Sequence, residues 1–194
     1  MNKKITLPEN ISEITLDQFQ RFNVLNKRED LNGLDFHKRI VSIFTDLKYK
    51  EIGKISSKDY TMIVEKITTA LNTDCKFERT FKLGEQTFGF VPNLDKILTA
   101  EYVDLSYHGT EVENLHKIMA ILFRPVIKMD KYGNYKIAPY SGTEMWGEQM
   151  KQTPMNIVNG ALGFFLNLAN ELKNNIRKSL NRETRKAMKQ QTIS

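Results

Sequence analysis

The spacing of apolar residues changes period along this chain, and this change limits the folds open to it. Apolar residues recur at helical spacing in five segments, near 15–27, 35–47, 57–71, 110–124 and 154–180. Strand-forming residues flank short turns in two others, near 76–91 and 126–138. The sequence therefore predicts an α+β protein, mainly helical, with two small β-hairpins and a long C-terminal helix.

Local signals set the expected ends of these elements. Thr15 and Gln18 form a capping box, and Thr110 and Glu113 form a second one. Pro125 is expected to end the helix that begins at Thr110, because a proline disfavours helical backbone in the residue before it. Residues 5–7 are predicted to form a short edge strand, and two further short helices are expected at 99–106 and 143–151.

The turns of the two hairpins have different signatures. Gly84 and Glu85 form a two-residue connection in the first. The second has the loop 130–134, which is rich in turn-forming residues. Gly160 and Gly163 lie in the last predicted helix, where glycine is unfavourable, and they are expected to allow close packing against a neighbouring helix.

The net charge of the chain lies in its last 22 residues. Residues 173–194 carry seven basic and one acidic side chain, a net charge of +6 that equals that of the whole chain. The sequence predicts a single globular domain over 1–172 and a basic amphipathic extension over 173–194. The candidate partner- or phosphate-binding residues are Lys173, Arg177, Lys178, Arg182, Arg185, Lys186 and Lys189.

Several interpretations of this extension are open. The basic residues can follow phosphates, giving a non-specific contact with DNA. They can lie on an anionic membrane surface, dock on a partner protein, or form a solvated helix face. The apolar stretch 157–172 is interrupted by polar residues and glycines, so no membrane span is predicted.

The sequence contains no motif that carries a reaction. It lacks a phosphate loop, a dinucleotide-binding glycine pattern and a nucleophile elbow. Cys75 is the single cysteine, which excludes an intrachain disulfide. Glu113 and His116 form one half of a di-iron motif that needs a second copy, and the Glu-x-Lys triplet at 171–173 lies on a predicted helix. We therefore expect no catalytic residue, metal or cofactor.

Four segments together resemble proteins from the structural gene clusters of tailed phages. They are Ile5–Phe19, Phe88–Leu105, Leu115–Pro125 and Ala161–Leu168. As an ordered set they are most similar to proteins of phages that infect Bacteroidetes, especially crAss-like podoviruses. The resemblance implies a non-enzymatic virion component of the tail, neck or packaged cargo, synthesised in the host cytoplasm. Its expected partners are other virion proteins, in multiple copies.

Two other functions are compatible with the sequence. One is a tail assembly chaperone that is absent from the mature virion, and the other is a nucleic-acid-binding protein that uses the basic extension. Within the resembling segments, Glu101, Tyr102 and Asp104 have two interpretations. They mark a recognition surface, or they belong to a short amphipathic helix that buries Tyr102 and Leu105.

Overall fold

A computed structural model describes residues 5–45, 47–73, 75–93, 97–109 and 111–164. The protein is mixed α+β and mainly helical, with one four-stranded antiparallel sheet, which confirms the predicted fold class. The helices are α1 (Leu16–Asn26), α2 (Gly33–Phe44), α3 (Tyr49–Ile52), α4 (Ser57–Leu71), α5 (Thr99–His108), α6 (Leu115–Leu122), α7 (Glu144–Met150) and α8 (155–164). The strands are β1 (Thr80–Leu83), β2 (Gln86–Phe90), β3 (Phe123–Met129) and β4 (Tyr135–Ile137).

The predicted capping box at the start of α1 is confirmed. The Thr15 hydroxyl accepts a hydrogen bond from the Gln18 amide, and the Gln18 side chain accepts one from the Thr15 amide. The predicted strand at residues 5–7 is wrong, since these residues have no strand partner. Backbone pairing occurs further along instead, where Thr15 forms an isolated bridge with Pro154 just before α8.

The prediction of a helix over 110–124 is wrong at both ends. Thr110 lies outside the described residues, and Val112–Asn114 form a 3-10 turn that leads into α6. The predicted capping box of Thr110 and Glu113 is therefore not fully within the described residues, where Oε1 of Glu113 accepts hydrogen bonds from Lys27 and Asn23. At the other end the helix stops at Leu122, before Pro125, because Phe123 pairs with Phe90 of β2 and begins a strand.

Pro125 lies within β3 rather than in a loop. It stands opposite Phe88 of β2, and its carbonyl accepts a hydrogen bond from the Ala138 amide at 2.8 Å. Proline has no backbone N–H to donate to a neighbouring strand. Because Ala138 follows the last residue of β4, this missing donor lies where the ladder between β3 and β4 ends.

The two predicted hairpins join into one sheet. The strand order is β1-β2-β3-β4, and β2 pairs with β3 through three residue pairs, Phe88 with Pro125, Gly89 with Arg124, and Phe90 with Phe123. Gly89 is required here, because a Cβ at this position would lie 2.5 Å from the Tyr135 ring. The Tyr135 hydroxyl donates to the Phe90 carbonyl at 2.8 Å and so links β4 to β2.

The main core lies between one face of this sheet and the helices. Phe81, Phe90 and Phe123 are in edge-to-face contact, with the Phe123 centroid 5.0 Å and 5.2 Å from the other two. Phe88 meets Trp146 of α7 edge-to-face. Edge-to-face pairs of this kind stabilise a core beyond their buried area. Helix α6 is buried along most of its length and supplies the centre of the helical layer.

At Gly160, helix α8 packs against the backbone of Lys76 and Phe77, which belong to no helix. A Cβ on Gly160 would lie 2.5 Å from the Lys76 carbonyl oxygen, so the expectation of a neighbouring helix is wrong. A Cβ on Gly163 would meet no atom of the described residues within 4 Å. The long C-terminal helix is described only up to residue 164, and the remainder of the prediction lies outside the described residues.

Candidate protein-interaction surface

Helix α5 has its charged residues on the inside and its aromatic residues on the outside. Tyr102, Val103 and Tyr107 are 63%, 56% and 78% exposed. Glu101 is 2% exposed, and His108 is also buried. Leu105 packs against the core, but most of the large apolar side chains of α5 face outward, unlike those of an ordinary surface helix, whose apolar side faces the core. Contacts on the inner side of α5 must therefore hold the helix in this rotation.

The first cause is a buried ion pair. Glu101 Oε1 lies 2.9 Å from Nη1 of Arg124 in β3, and the two side chains are 2% and 12% exposed. The other carboxylate oxygen of Glu101 accepts a hydrogen bond from the Leu98 amide at the start of α5. A buried charge without its partner is strongly unfavourable, so Arg124 holds Glu101, and with it the helix, in this rotation.

The second cause is a hydrogen bond from the segment between β4 and α7. The Tyr140 hydroxyl donates to the Asp104 carboxylate. Burial raises the pKa of Tyr140, and the negative charge of Asp104 raises it further, so the phenol stays protonated and remains a donor at neutral pH. Arg124 and Tyr140 together hold the two acidic residues of α5 on its inner side.

The outer side of α5 consequently carries no charge. Its exposed residues are Thr99, Ala100, Tyr102, Val103, Ser106 and Tyr107, which we call the α5 face. Turning the helix over would bury the tyrosines and the valine, but would separate Glu101 and Asp104 from their partners. An exposed apolar surface maintained in this way is typical of a protein-binding site.

A cleft of about 600 Å³ lies between α1 and α2. Val24, Leu25 and Ile43 form its apolar part. Four basic residues contribute to its walls, Arg21, Arg28, Arg39 and Lys151. Three of these, Arg21, Arg28 and Lys151, are already in ion pairs, with Asp17, Asp30 and Glu148 respectively. The cleft therefore offers little free positive charge to a ligand.

The Glu-x-x-His sequence at 113–116 does not converge on one point. Glu113 binds Lys27 at 2.9 Å, whereas His116 Nδ1 lies 3.1 Å from the Gln20 side-chain nitrogen. Burial lowers the pKa of His116, so its ring is neutral at pH 7 and can accept from Gln20. Within the described residues no group of three or more His, Cys, Asp or Glu side chains is arranged to hold a metal ion.

The predicted site residues and the observed surface lie in different parts of the chain. The seven basic residues from Lys173 to Lys189 all lie outside the described residues. The interpretation in which α5 buries Tyr102 and Leu105 is wrong for Tyr102, which is exposed, whereas Leu105 is half-buried and packs against the core. Sequence reasoning missed Val103 and Tyr107. Their signal was the separation on a helix of the acids at 101 and 104 from the apolar residues at 102, 103 and 107.

Comparisons with protein families, with curated proteins and with solved structures give no match to this chain. Function is therefore inferred from the surfaces of the molecule itself. No helix in the described part of the chain has both the length and the apolar character needed to cross a membrane.

Proposed function

We propose that this protein is a non-enzymatic structural component of a phage particle, held in place by contacts with other virion proteins. The observation that carries the proposal is the α5 face, an uncharged surface kept outward by Arg124 and Tyr140. The resemblance of the sequence to proteins of tailed phages that infect Bacteroidetes supports the particle as its setting. Tail, neck or packaged cargo are the positions that this resemblance implies.

The chemistry of the α5 face indicates what it binds. A charged partner surface would lose water on contact without gaining an opposite charge, which is unfavourable. Tyr102 and Tyr107 suit a protein interface, since a tyrosine contributes both apolar area and a hydroxyl that can stay hydrogen-bonded. The partner is therefore a protein with an apolar patch of its own.

The buried charged groups support binding rather than catalysis. The buried Glu101 is engaged by Arg124, and the half-buried Asp104 by Tyr140, so each acid on the inner side of α5 already has a fixed partner. A general base must be within hydrogen-bond reach of a substrate proton. These carboxylates are held on the inner side of α5 by their partners, and there they fix the orientation of the helix.

Mass spectrometry of purified particles, with copy number, tests the proposal. We expect the wild-type protein in the particles of the phage that encodes it. The variant carrying Tyr102→Asp and Val103→Asp should fold and yet be absent from the particles, because each aspartate puts a charge on the α5 face. Leu34→Asp is the control, which adds a single charge at a similarly exposed position in the first turn of α2, where an acid is tolerated.

The outcomes separate the two parts of the proposal. Absence of the wild-type protein from particles overturns the structural role and favours an assembly chaperone. Incorporation of the double variant at the wild-type level retains the structural role but rejects the α5 face as the contact. Loss of both the double variant and Leu34→Asp would show that any exposed charge disturbs incorporation, and would also reject the α5 face.

A further inference from the structure

The outer part of the second hairpin projects from the sheet. β2 pairs with β3 only as far as Pro125, and from Val126 onward β3 pairs with β4 alone. Every residue from 127 to 134 is exposed. We call residues 126–137 the hairpin arm. It forms a surface separate from the α5 face, and its partner can be identified by different chemistry.

The hairpin arm is basic, and its one acid, Asp130, is hydrogen-bonded within the turn. Residues 126–137 contain three lysines, Lys128, Lys131 and Lys136, and one acid, Asp130, which gives a net charge of +2. The Asp130 carboxylate accepts hydrogen bonds from the Tyr132 amide at 2.8 Å and from the Asn134 amide at 2.9 Å. Asn134 also donates its side-chain nitrogen, and these bonds lower the pKa of Asp130. Asp130 therefore stabilises the turn, and its single negative charge leaves the lysines in excess.

Two of the lysines face each other across the arm. Lys128 pairs with Lys136 in the register of β3 and β4, next to an irregularity at residue 127. Like charges directly opposite each other destabilise a strand pair. Neither lysine has an acidic group within ion-pair distance among the described residues. A single lysine on the edge strand β4 would be enough to discourage pairing with another sheet. Protection of the edge therefore does not explain why two lysines lie opposite each other.

Apolar side chains lie among these charges. Ile127, Met129 and Tyr132 are large and exposed, and the Lys131 ammonium lies 5.0 Å from the centre of the Tyr132 ring. A phosphate backbone offers nothing to Ile127 or Met129. A protein surface that combines carboxylates with apolar residues complements the whole arm, because both kinds of contact are then made.

We infer that the hairpin arm docks on an acidic surface of a partner protein, with Lys128 and Lys136 facing its carboxylates and Ile127 and Tyr132 facing its apolar residues. The partner's carboxylates relieve the repulsion between the two lysines. In the free protein this repulsion remains. One acidic and one basic residue at the same two positions would avoid it.

Binding by the full-length protein to three probes tests this inference. The probes are a peptide of glutamate and leucine repeats, a polyglutamate peptide of the same length, and a DNA oligonucleotide. The arm variant carries Lys128→Glu and Lys136→Glu. This variant still has two like charges facing each other in β3 and β4, so its stability should match that of the wild type. The control carries Lys58→Glu and Lys66→Glu, which makes the same charge change at two exposed positions on α4.

We expect the arm variant to bind the glutamate–leucine peptide about tenfold more weakly than the control does, which corresponds to the loss of two exposed ion pairs. Ile127→Ser should weaken binding of that peptide more than binding of polyglutamate. Equal peptide affinities in the arm variant and the control overturn the inference, whatever their strength. A larger loss for DNA than for the peptide overturns it in favour of a nucleic-acid contact.

The single change Lys128→Glu gives an independent readout. It creates an opposite pair with Lys136, so the thermal midpoint should rise slightly while peptide binding falls. A variant that is more stable and binds equally well would show that the lysines have only a local role, and would reject the inference. These assays use purified protein and peptide, so their outcome is independent of incorporation into particles.

Discussion

At the scale of single residues, Gly160 shows how one missing side chain positions an element. Its backbone contacts that of Lys76 and Phe77, at a distance that leaves no space for a Cβ. This close approach lets Phe164, one turn further along α8, stack on Phe77 with centroids 4.3 Å apart. Phe77 in turn contacts Phe90 of the sheet. A single glycine thus allows α8 to join the aromatic core.

Replacing Gly160 should destabilise the protein, whereas replacing Gly163 should not. Gly160→Ala forces α8 away from Lys76 and should lower the free energy of unfolding by about 2 kcal/mol, as overpacking does. Gly163→Ala meets no neighbour among the described residues and favours helical backbone, so it should be neutral or add up to about 1 kcal/mol. Urea denaturation measures both, and a Gly160→Ala variant as stable as the wild type would contradict the close packing.

At the scale of elements, α5 is the helix whose rotation depends on distant partners. Arg124 comes from β3 and Tyr140 from the segment after β4, so two side chains distant in sequence hold the helix. Exposed pairs such as Lys27 and Glu113 differ, because their groups remain solvated and contribute little. Because of the buried pair, the side of α5 that faces inward depends on the position of β3 in the sheet.

The contribution of the Glu101–Arg124 pair can be measured by comparing the folding free energies of single and double variants. Arg124→Met leaves Glu101 as a buried, unpaired carboxylate and should cost about 3–5 kcal/mol of folding free energy. Combining it with Glu101→Leu should recover much of that loss, since both charges are then removed. Lys27→Met, which breaks an exposed pair, is the control and should have little effect. Equal destabilisation in the single and double variants would show that the pair does not hold α5.

At the scale of the whole molecule, the described core and the net charge occupy different parts of the chain. The buried apolar residues of the described core extend from Ile11 to Ala161. The excess positive charge lies in residues 173–194. The division into a domain over 1–172 and a basic extension over 173–194 stays a prediction.

Removal of residues 173–194 tests this division. The shortened protein should unfold cooperatively near the wild-type midpoint, followed by far-UV circular dichroism, because it retains the whole described core. A full-length variant with the seven basic residues changed to glutamine separates the effect of charge from that of length. Loss of cooperative unfolding in the shortened protein, but not in the glutamine variant, would show that the extension belongs to the folded domain.

Much of the local structure could be read from the sequence. The capping box at Thr15, the bounds of α4 and both hairpin turns were predicted, because each depends on residues within a few positions of one another. The predictions failed where a distant strand competed with a local signal. The helix expected to reach residue 124 stops at Leu122, because pairing of Phe123 with Phe90 outweighs helical propensity.

The sequence by itself determined that Glu101 and Asp104 share one side of α5 with Leu105, and that Tyr102, Val103 and Tyr107 lie on the other, since helical geometry follows from spacing alone. Only the tertiary structure decided which side faces inward. Glu101 is held by Arg124, 23 positions later, and Asp104 by Tyr140, 36 positions later. A helix rotates toward whichever partners are buried beneath it, and those partners are set by the joining of the two hairpins into one sheet.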